Sequence, residues 1–452
     1  MPGYDAAAFE VVHAAGRQVT SVRVNPGKVG GAADAVWSGA VFGADDVWSG
    51  AMRVPWSSYG YYLPERPSFT FDPLFHAGAY YVQEASSMFL EQALRQTVDL
   101  SRPLRVLDLC AAPGGKSTLL QSLLTGDSLL VSNEVIRTRV HILQENMVKW
   151  GAANVCITSN DPQDFRRLEN YFDVIVVDAP CSGSGLFRRE PEAIGQWSLD
   201  NVKLCQQRQQ RILADCWPAL RQDGMLIYST CSYSREEDED ILDWMMTDLQ
   251  AEGCRLEVPE EWNIVETMGA KGAYGYRCYP DKLDGEGFFI ACLRKNDGGA
   301  FVAPRKRTSP EKLTRQEEQR VRDWVREEGG LFFFHHQEQI NVLPESLAGE
   351  LSVLQSACYL KRAGIPMGQL SAKEFIPEHD LAVSLLINPS LPVLPLSREQ
   401  ALVYLRKEEI LPGDAGLGWT LVSYAGANLG WIKVLPRRCN NYYPKEWRIL
   451  KR

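Results

Sequence analysis

Between residues 104 and 295 the hydrophobic pattern changes period again and again, and this alternation restricts what the chain can fold into. "LRVLDLC" (104–110), "SLLVSNE" (128–134), "NVCITSND" (154–161), "DVIVVDAP" (173–180) and "GMLIYSTCS" (224–232) read as short buried strands. Helical stretches separate them, from about residue 116, over 137–150, over roughly 197–221 and from about 235. Strands alternating with helices of this length make βαβ units and a mostly parallel, doubly wound α/β sheet of the Rossmann-like kind. "GYRCYP" and "GFFIACLRK" read as a closing antiparallel hairpin, so the sheet is expected to end near residue 295.

A chain of 452 residues is too long for one ordinary core. Residues 1–95, rich in turns and aromatics ("VPWSSYGYYLPERP", "HAGAYYVQEASSM"), are expected to form a small α/β domain, and 96–295 the sheet domain. Residues 296–330 hold a linker, "APRKRTSP", and a charged helix; 331–452 read as a separate, mainly β domain. The eleven cysteines include no CxxC pair, which argues against a disulfide scaffold or a zinc ribbon and for a reducing cytoplasm. No metal site is expected. "MPGYDAAAFEVV" lacks the layout of a signal peptide, and no apolar run is long enough to cross a membrane. The net charge of -9 excludes a general nucleic-acid sponge, not a local basic stripe.

Ligands on open α/β sheets bind beyond the carboxyl ends of the strands, and the informative residues fall there. In "DLCAAPGGKS" the small residues Ala111, Ala112, Gly114 and Gly115, with Pro113 between them, allow close approach to the backbone. The helix that opens at Lys116 and Ser117 presents free N–H groups. Glu134, 19 residues past Gly115, stands where an acid usually holds two ribose hydroxyls. Asp161 ends the third strand, where it could accept from an adenine amino group. The spacing is neither GxGxxG nor GxxxxGK[ST], so a nucleoside without phosphates fits better, one that carries a carboxylate near the loop. S-adenosylmethionine is such a cofactor.

"DAPCSGSG" and "YSTCS" place Cys181 and Cys231 just past two strand ends, with Asp178 beside the first. Each cysteine alone would read as a packed thiol. The pair suggests cytosine chemistry: a thiolate adds to carbon 6, carbon 5 becomes enamine-like, and an acid at the ring's N3 or amino edge stabilises the developing charge. A base then removes the proton from carbon 5, and two thiols and Asp178 are available for these tasks. Ser234 and Glu237 match a capping box, and "EEDED" (236–240) reads as a solvated helix start. That acidic run would oppose a thiolate at Cys231, so an offsetting cation is expected, with Lys116 the first candidate.

Taken together, "DLCAAPGGKS", "NEVIRTRVHILQENMVKWG", "DAPCSGSG", "YSTCS" and "GEGFF" resemble the Sun-type RNA cytosine-5 methyltransferases over about residues 80–293. "SVRVNP" (21–26) and "YYVQEASSM" (80–88) are also similar. "VPWSSYGYYL" and the C-terminal extension resemble the bacterial 16S ribosomal RNA F-type subgroup, which implies a PUA-like RNA-binding domain. Asp281 departs from the pattern, in a place where many relatives carry histidine. The resemblance implies that Ala111 to Ser117, Glu134, Asp161 and Asp178 line the cofactor and base site. It implies Cys231 as the nucleophile and Cys181 as the thiol that assists release.

The expected partner is RNA, small-subunit 16S ribosomal RNA foremost, with the protein a monomer. Transfer RNA is the alternative substrate, and a non-catalytic ribosome-assembly factor is the rival from another class. Arg188 and Arg189 are expected to meet RNA phosphates. In the last segment Lys433, Arg437, Arg438, Lys445 and Arg448 interleave with Tyr442, Tyr443 and Trp447, a pattern suited to an unpaired strand.

Overall fold

The computed structural model describes residues 2–29, 48, 50–303, 308–326 and 329–451. The basic cluster expected in the linker, residues 305–307, lies outside the described residues. An N-terminal antiparallel sheet comprises β1 (Thr20–Val24), β2 (Met52–Arg53), β3 (Gly60–Leu63) and β4 (Tyr80–Val82), in the order β2-β3-β1-β4. Then come β5 (Arg105–Asp108), β6 (Leu129–Asn133), β7 (Val155–Thr158), β8 (Phe172–Asp178) and β9 (Leu220–Thr230). These five pair in parallel, β7-β6-β5-β8-β9. β10 (Ala251–Cys254), β11 (Val265–Met268), β12 (Tyr274–Cys278) and β13 (Phe288–Lys295) complete that side with antiparallel pairs.

Successive side chains on a strand point to opposite faces, and the two faces have different cores. Leu107, Val131, Ile175 and Leu226 enter one core; Val106, Leu130, Val174 and Ile227 enter the other. Both faces are covered, so β8 is buried from Phe172 to Val177 and reads as an apolar run from Val174 to Val177. The second face is covered by Val54, Trp56, Met88 and Phe89 from the N-terminal region and by the helix Gly115–Leu123.

The first face departs from expectation. After β14 (Glu311–Lys312), β15 (Leu331–His336) and β16 (Gln339–Pro344), the helix Ala348–Ala357 lays Leu351 and Leu354 into the large sheet's own core. β17 (Leu360–Ala363) then pairs antiparallel with β7. The large sheet therefore has ten strands and does not end near residue 295. The reason is an edge: without β17, β7 would present unpaired backbone groups. Residues 331–452 are accordingly not one separate β domain. β18 (Ile365–Leu370) and β19 (Phe375–Pro377) close a five-stranded sheet, order β14-β15-β16-β18-β19. β20 (Val393–Pro395), β21 (Gly418–Tyr424), β22 (Ala427–Leu435) and β23 (Arg438–Asn441) form another, whose core also takes in Ala77 of the N-terminal region.

The charge run is a second correction. Ser234 makes no side-chain cap, and Glu237, Asp238 and Glu239 are buried rather than solvated. Arg277 of β12 reaches the last two, with Nη2 2.9 Å from Asp238 Oδ2 and 2.6 Å from Glu239 Oε2. Among the described residues no helix is long and apolar enough to cross a membrane, and no group of side chains could hold a metal ion.

Candidate active site

The strand order reverses at β5, with β6 on one side and β8 on the other. Such a switch point separates the loops and leaves a crevice. A cavity of about 300 Å³ opens there. Its floor is Cys110 to Pro113, Gly115, Lys116, Asp178 and Cys231. Its rim is Tyr81, Gln83 and Glu84 beside β4, Leu186 and Arg189, and Glu286 to Phe288 at the start of β13. Of the residues expected from sequence, Ala111, Ala112, Pro113, Gly115, Lys116, Asp178 and Cys231 meet in this one space. Gly114, Ser117, Glu134, Asp161 and Cys181 are not among the residues that line it.

Gly114 takes φ 115° as the N-cap of the helix Gly115–Leu123, a left-handed conformation that favours glycine. The Ala112–Pro113 bond is cis. Behind the loop, Ser117 Oγ donates to Asp108 Oδ2 at 2.7 Å, while Oδ1 is buried with no hydrogen-bond partner. Burial is the main cause that lifts the Asp108 carboxyl to about 7; Ser117 and Lys116 oppose the rise, and Asp178 and Glu134 add to it.

On the β6 side, Glu134 is buried and its Oε1 accepts from Ile136 N at 2.9 Å. Its Oε2 lies 3.2 Å from Arg139 Nη1 and receives no aligned hydrogen bond among the described residues. Arg139 also donates to Ala112 O at 2.6 Å, tying the carboxylate to the glycine loop. Asn133 donates to Leu109 O and Asn160 O, which joins three strand-end loops. Asp161 lies three residues past β7 and does not reach the cavity. It caps a 3-10 turn through Gln163 N and pairs with Arg211 at 3.4 Å.

On the β8 side the polar groups bond to one another. Lys116 Nζ is 2.8 Å from Asp178 Oδ2, and Ser229 Oγ donates to Asp178 Oδ1 at 2.8 Å. Burial opposes the lysine's charge, but Asp178, then Asp108 and Cys231, raise its pKa overall. Lys116 is therefore bound to Asp178 first, with Cys231 the last of the groups that favour its charge. The two sulfurs lie 3.0 Å apart. The Cys231 sulfur itself, then burial and Glu237, push the Cys181 thiol well above its ordinary range, so Cys181 keeps its proton at neutral pH. Gly185 permits this approach: its N–H donates to Cys231 O at 2.8 Å, and a Cβ there would meet that oxygen at 2.8 Å.

Two expected RNA contacts are corrected. Arg188 is buried, and its guanidinium donates to Glu286 at 3.0–3.3 Å and to Gly285 O at 2.7 Å; only Arg189 is exposed, at the cavity rim. Tyr443 is fully buried and cannot stack on a base; Trp447 is half-buried, edge-on to His379 and under the Lys149 ammonium at 5.6 Å; Tyr442 is exposed beside Trp419, with centroids 4.5 Å apart.

Arg23, Gln83, Glu84, Asp108, Ser229, Glu286 and Phe288 also surround the site, with no role evident from the sequence alone. Arg23 is the most telling. From β1 it donates to Ser122 and Thr118 of the glycine-loop helix and to Gln83 Oε1, and it lies over Trp150 at 4.5 Å. The signal was present in "SVRVNP", "YYVQEASSM" and "GEGFF", motifs that carried resemblance without a stated job.

The family descriptions that match are 16S rRNA methyltransferase RsmB/F over residues 96–294, the N-terminal domain of 16S rRNA methyltransferase RsmF over 2–85, and the methyltransferase RsmF PUA domain over 391–449. The chain is 30% identical to ribosomal RNA small subunit methyltransferase F of Aliivibrio salmonicida, covering 87% of this chain and 85% of that one. It is 27% identical to the protein of that name from Shewanella piezotolerans, over 87% and 84%. A solved methyltransferase homolog from Pyrococcus horikoshii superposes with a TM-score of 0.53 at 28% identity, covering 65% of this chain and 92% of that one. NSun6 from Pyrococcus horikoshii, solved with SFG, shares the fold at 18% identity and a TM-score of 0.51, over 64% and 94%. Site geometry, three matching domains and near full-length relatives agree: this chain belongs to the 16S rRNA methyltransferase RsmB/F family.

Proposed function

We propose that the protein methylates carbon 5 of a cytosine in small-subunit ribosomal RNA, with S-adenosylmethionine as methyl donor. The observation that carries this reading is the pair of thiols 3.0 Å apart beside an Asp–Lys pair at the sheet's switch point. The cofactor fits the residues present. Glu134 Oε2, 3.2 Å from Arg139, receives no aligned hydrogen bond and keeps a lone pair for a ribose hydroxyl, and Gly115 lines the cavity without a side chain. When bound, S-adenosylmethionine supplies an electrophilic methyl group.

The chain's own residues supply the rest. The Cys231 sulfur adds to carbon 6, forming a C–S bond and making carbon 5 nucleophilic. Asp178 meets the N3 and amino edge of the base, where a proton must sit as charge develops, and Lys116 orients that carboxyl. Once carbon 5 carries the methyl group, its proton is removed, the C–S bond breaks and the Cys231 sulfur departs. Cys181, 3.0 Å from the departing sulfur, gives its own proton to that sulfur and takes the carbon 5 proton in its place. The exposed Arg189 meets a phosphate near the base, and the C-terminal PUA unit adds RNA contacts through Tyr442 and its basic residues.

The test is a denaturing gel with labelled small-subunit RNA. Cys231→Ala should give no methyl transfer and no shifted band. Cys181→Ala should transfer methyl once and remain attached to RNA. A shifted band with Cys231→Ala instead would exchange the two roles, and normal turnover by both variants would defeat the thiol mechanism. Transfer RNA run in parallel decides between the two substrate classes.

A further inference from the structure

Glu237 belongs to the charge run that sequence reasoning placed in solvent, yet it is fully buried and stands between the two thiol loops. Its Oε1 accepts from Ser182 N at 2.8 Å and from Gln209 Nε2 at 3.3 Å. Its Oε2 accepts from Ser182 Oγ, and from Ser232 Oγ at 2.7 Å. Ser182 follows Cys181, and Ser232 follows Cys231. One carboxylate therefore takes up a backbone N–H and a hydroxyl next to the first thiol and a hydroxyl next to the second.

The carboxylate is itself held firmly. Tyr228 Oη, from β9, donates to Glu237 O at 2.6 Å. Gln209 also donates to Pro180 O at 3.1 Å, so the long helix Leu199–Cys216 braces the same loop. Arg277 neutralises the neighbouring Asp238 and Glu239 and leaves Glu237 to the thiol loops, being bonded to it nowhere.

We infer that Glu237 is the positioning residue of the two-thiol reaction, fixing the Cys181 loop against Cys231 so that one sulfur attacks while the other stays within reach for release. This rests on the proposed cytosine chemistry. A buried network of this kind fixes geometry because every member would lose a bond on moving. It also has an electrical consequence. A negative charge beside Cys181 favours its protonated form, and Glu237 is among the causes that push that thiol up, after the Cys231 sulfur and burial. The other titratable groups packed around this carboxylate are Cys231, Cys205 of the long helix and Tyr228 of β9.

Two measurements test the assignment. The first needs no RNA: alkylation of Cys181 by iodoacetamide is followed against pH by peptide mass spectrometry. It is done in Cys231→Ala, which removes the largest neighbour effect, and in Cys231→Ala with Glu237→Gln. Glutamine keeps the size and an acceptor for Ser182 N but carries no charge, so the midpoint should fall by roughly one pH unit. The second follows the covalent RNA complex and methyl transfer in single turnover. Glu237→Ala should slow both by roughly 10²-fold, as expected when reacting groups lose their alignment. Glu237→Gln should recover most of the adduct rate, and cofactor affinity should stay within about twofold in both variants. An unmoved alkylation midpoint, or wild-type rates in a folded Glu237→Ala protein, overturns the inference. If Glu237→Ala does not fold, the Glu237→Gln midpoint decides. Absence of any adduct in the wild-type protein would instead defeat the proposed cytosine chemistry, and the alkylation result would still judge Glu237.

Discussion

The proposed nucleoside end of the cavity and the thiol end are held by different means. Glu134 accepts from the backbone N–H two residues on, at Ile136, and has an arginine partner; Asp161, outside the cavity, is held in the same way by Gln163 N and Arg211. Their positions follow from local chain geometry. Asp178, Lys116, Cys181 and Cys231 instead bond to other side chains, across three strand ends. Groups that only bind can be set by the turn they sit in. Groups that exchange protons need one another, and their placement depends on support such as Glu237 and Gly185.

Three substitutions sharpen this contrast. The largest effect is expected at Lys116. Lys116→Met removes the cation beside Asp178 and should lower kcat by about 10²–10³, the cost of losing one preorganised charge-stabilising group. RNA and cofactor affinities should change little; a loss confined to cofactor affinity would move Lys116 to the binding end. Next comes Glu134→Ala, which should weaken S-adenosylmethionine binding by roughly 1.5–3 kcal/mol, the range for hydrogen bonds to charged groups. Single-turnover methyl transfer at saturating cofactor should stay near wild type. Calorimetry that shows unchanged affinity in a folded protein would remove Glu134 from the site.

The smallest effect is at Asp108, between the two ends. Its carboxyl is lifted to about 7 in the folded protein, chiefly by burial. In the unfolded chain it titrates near about 3.9. The fold therefore disfavours its ionised form. The stability it contributes as a neutral acid is complete below about pH 4 and is lost as pH rises through about 7. Asp108→Asn should reduce the fall in melting temperature between about pH 5 and pH 8. An unchanged slope would show that Asp108 does not titrate in this range.

The parallel sheet was legible because its strands are continuous apolar runs and its helices carry a clear period; residues 137–150 match the observed helix Arg137–Trp150. The floor of the site was legible for the same reason, since the loops begin where the runs stop. What escaped reading depended on distant partners. Arg188 looked free for phosphate because Glu286 lies 98 residues further on. The "EEDED" run looked solvated because Arg277 arrives on another strand. β17 contains Lys361 and Arg362 in four residues and matches no buried-strand pattern. Only its pairing with β7 makes it a strand. The closeness of the two sulfurs was implied by equivalent strand ends, but spacing alone could not assign their roles.

The late arrival of β17 has a consequence for how the protein is made. A ribosome exposes its product in order, at about 5–20 residues per second. The edge of β7 is complete at Thr158, but its partner ends at Ala363, some two hundred residues later. For about 10–40 s the nascent sheet carries an open edge and lacks Leu351 and Leu354 from one face. The loops that carry Glu134 and Asp161 hang from that unfinished side. The catalytic sheet is thus complete only once residue 363 has been made, and until then its β7 edge has no partner strand on that side.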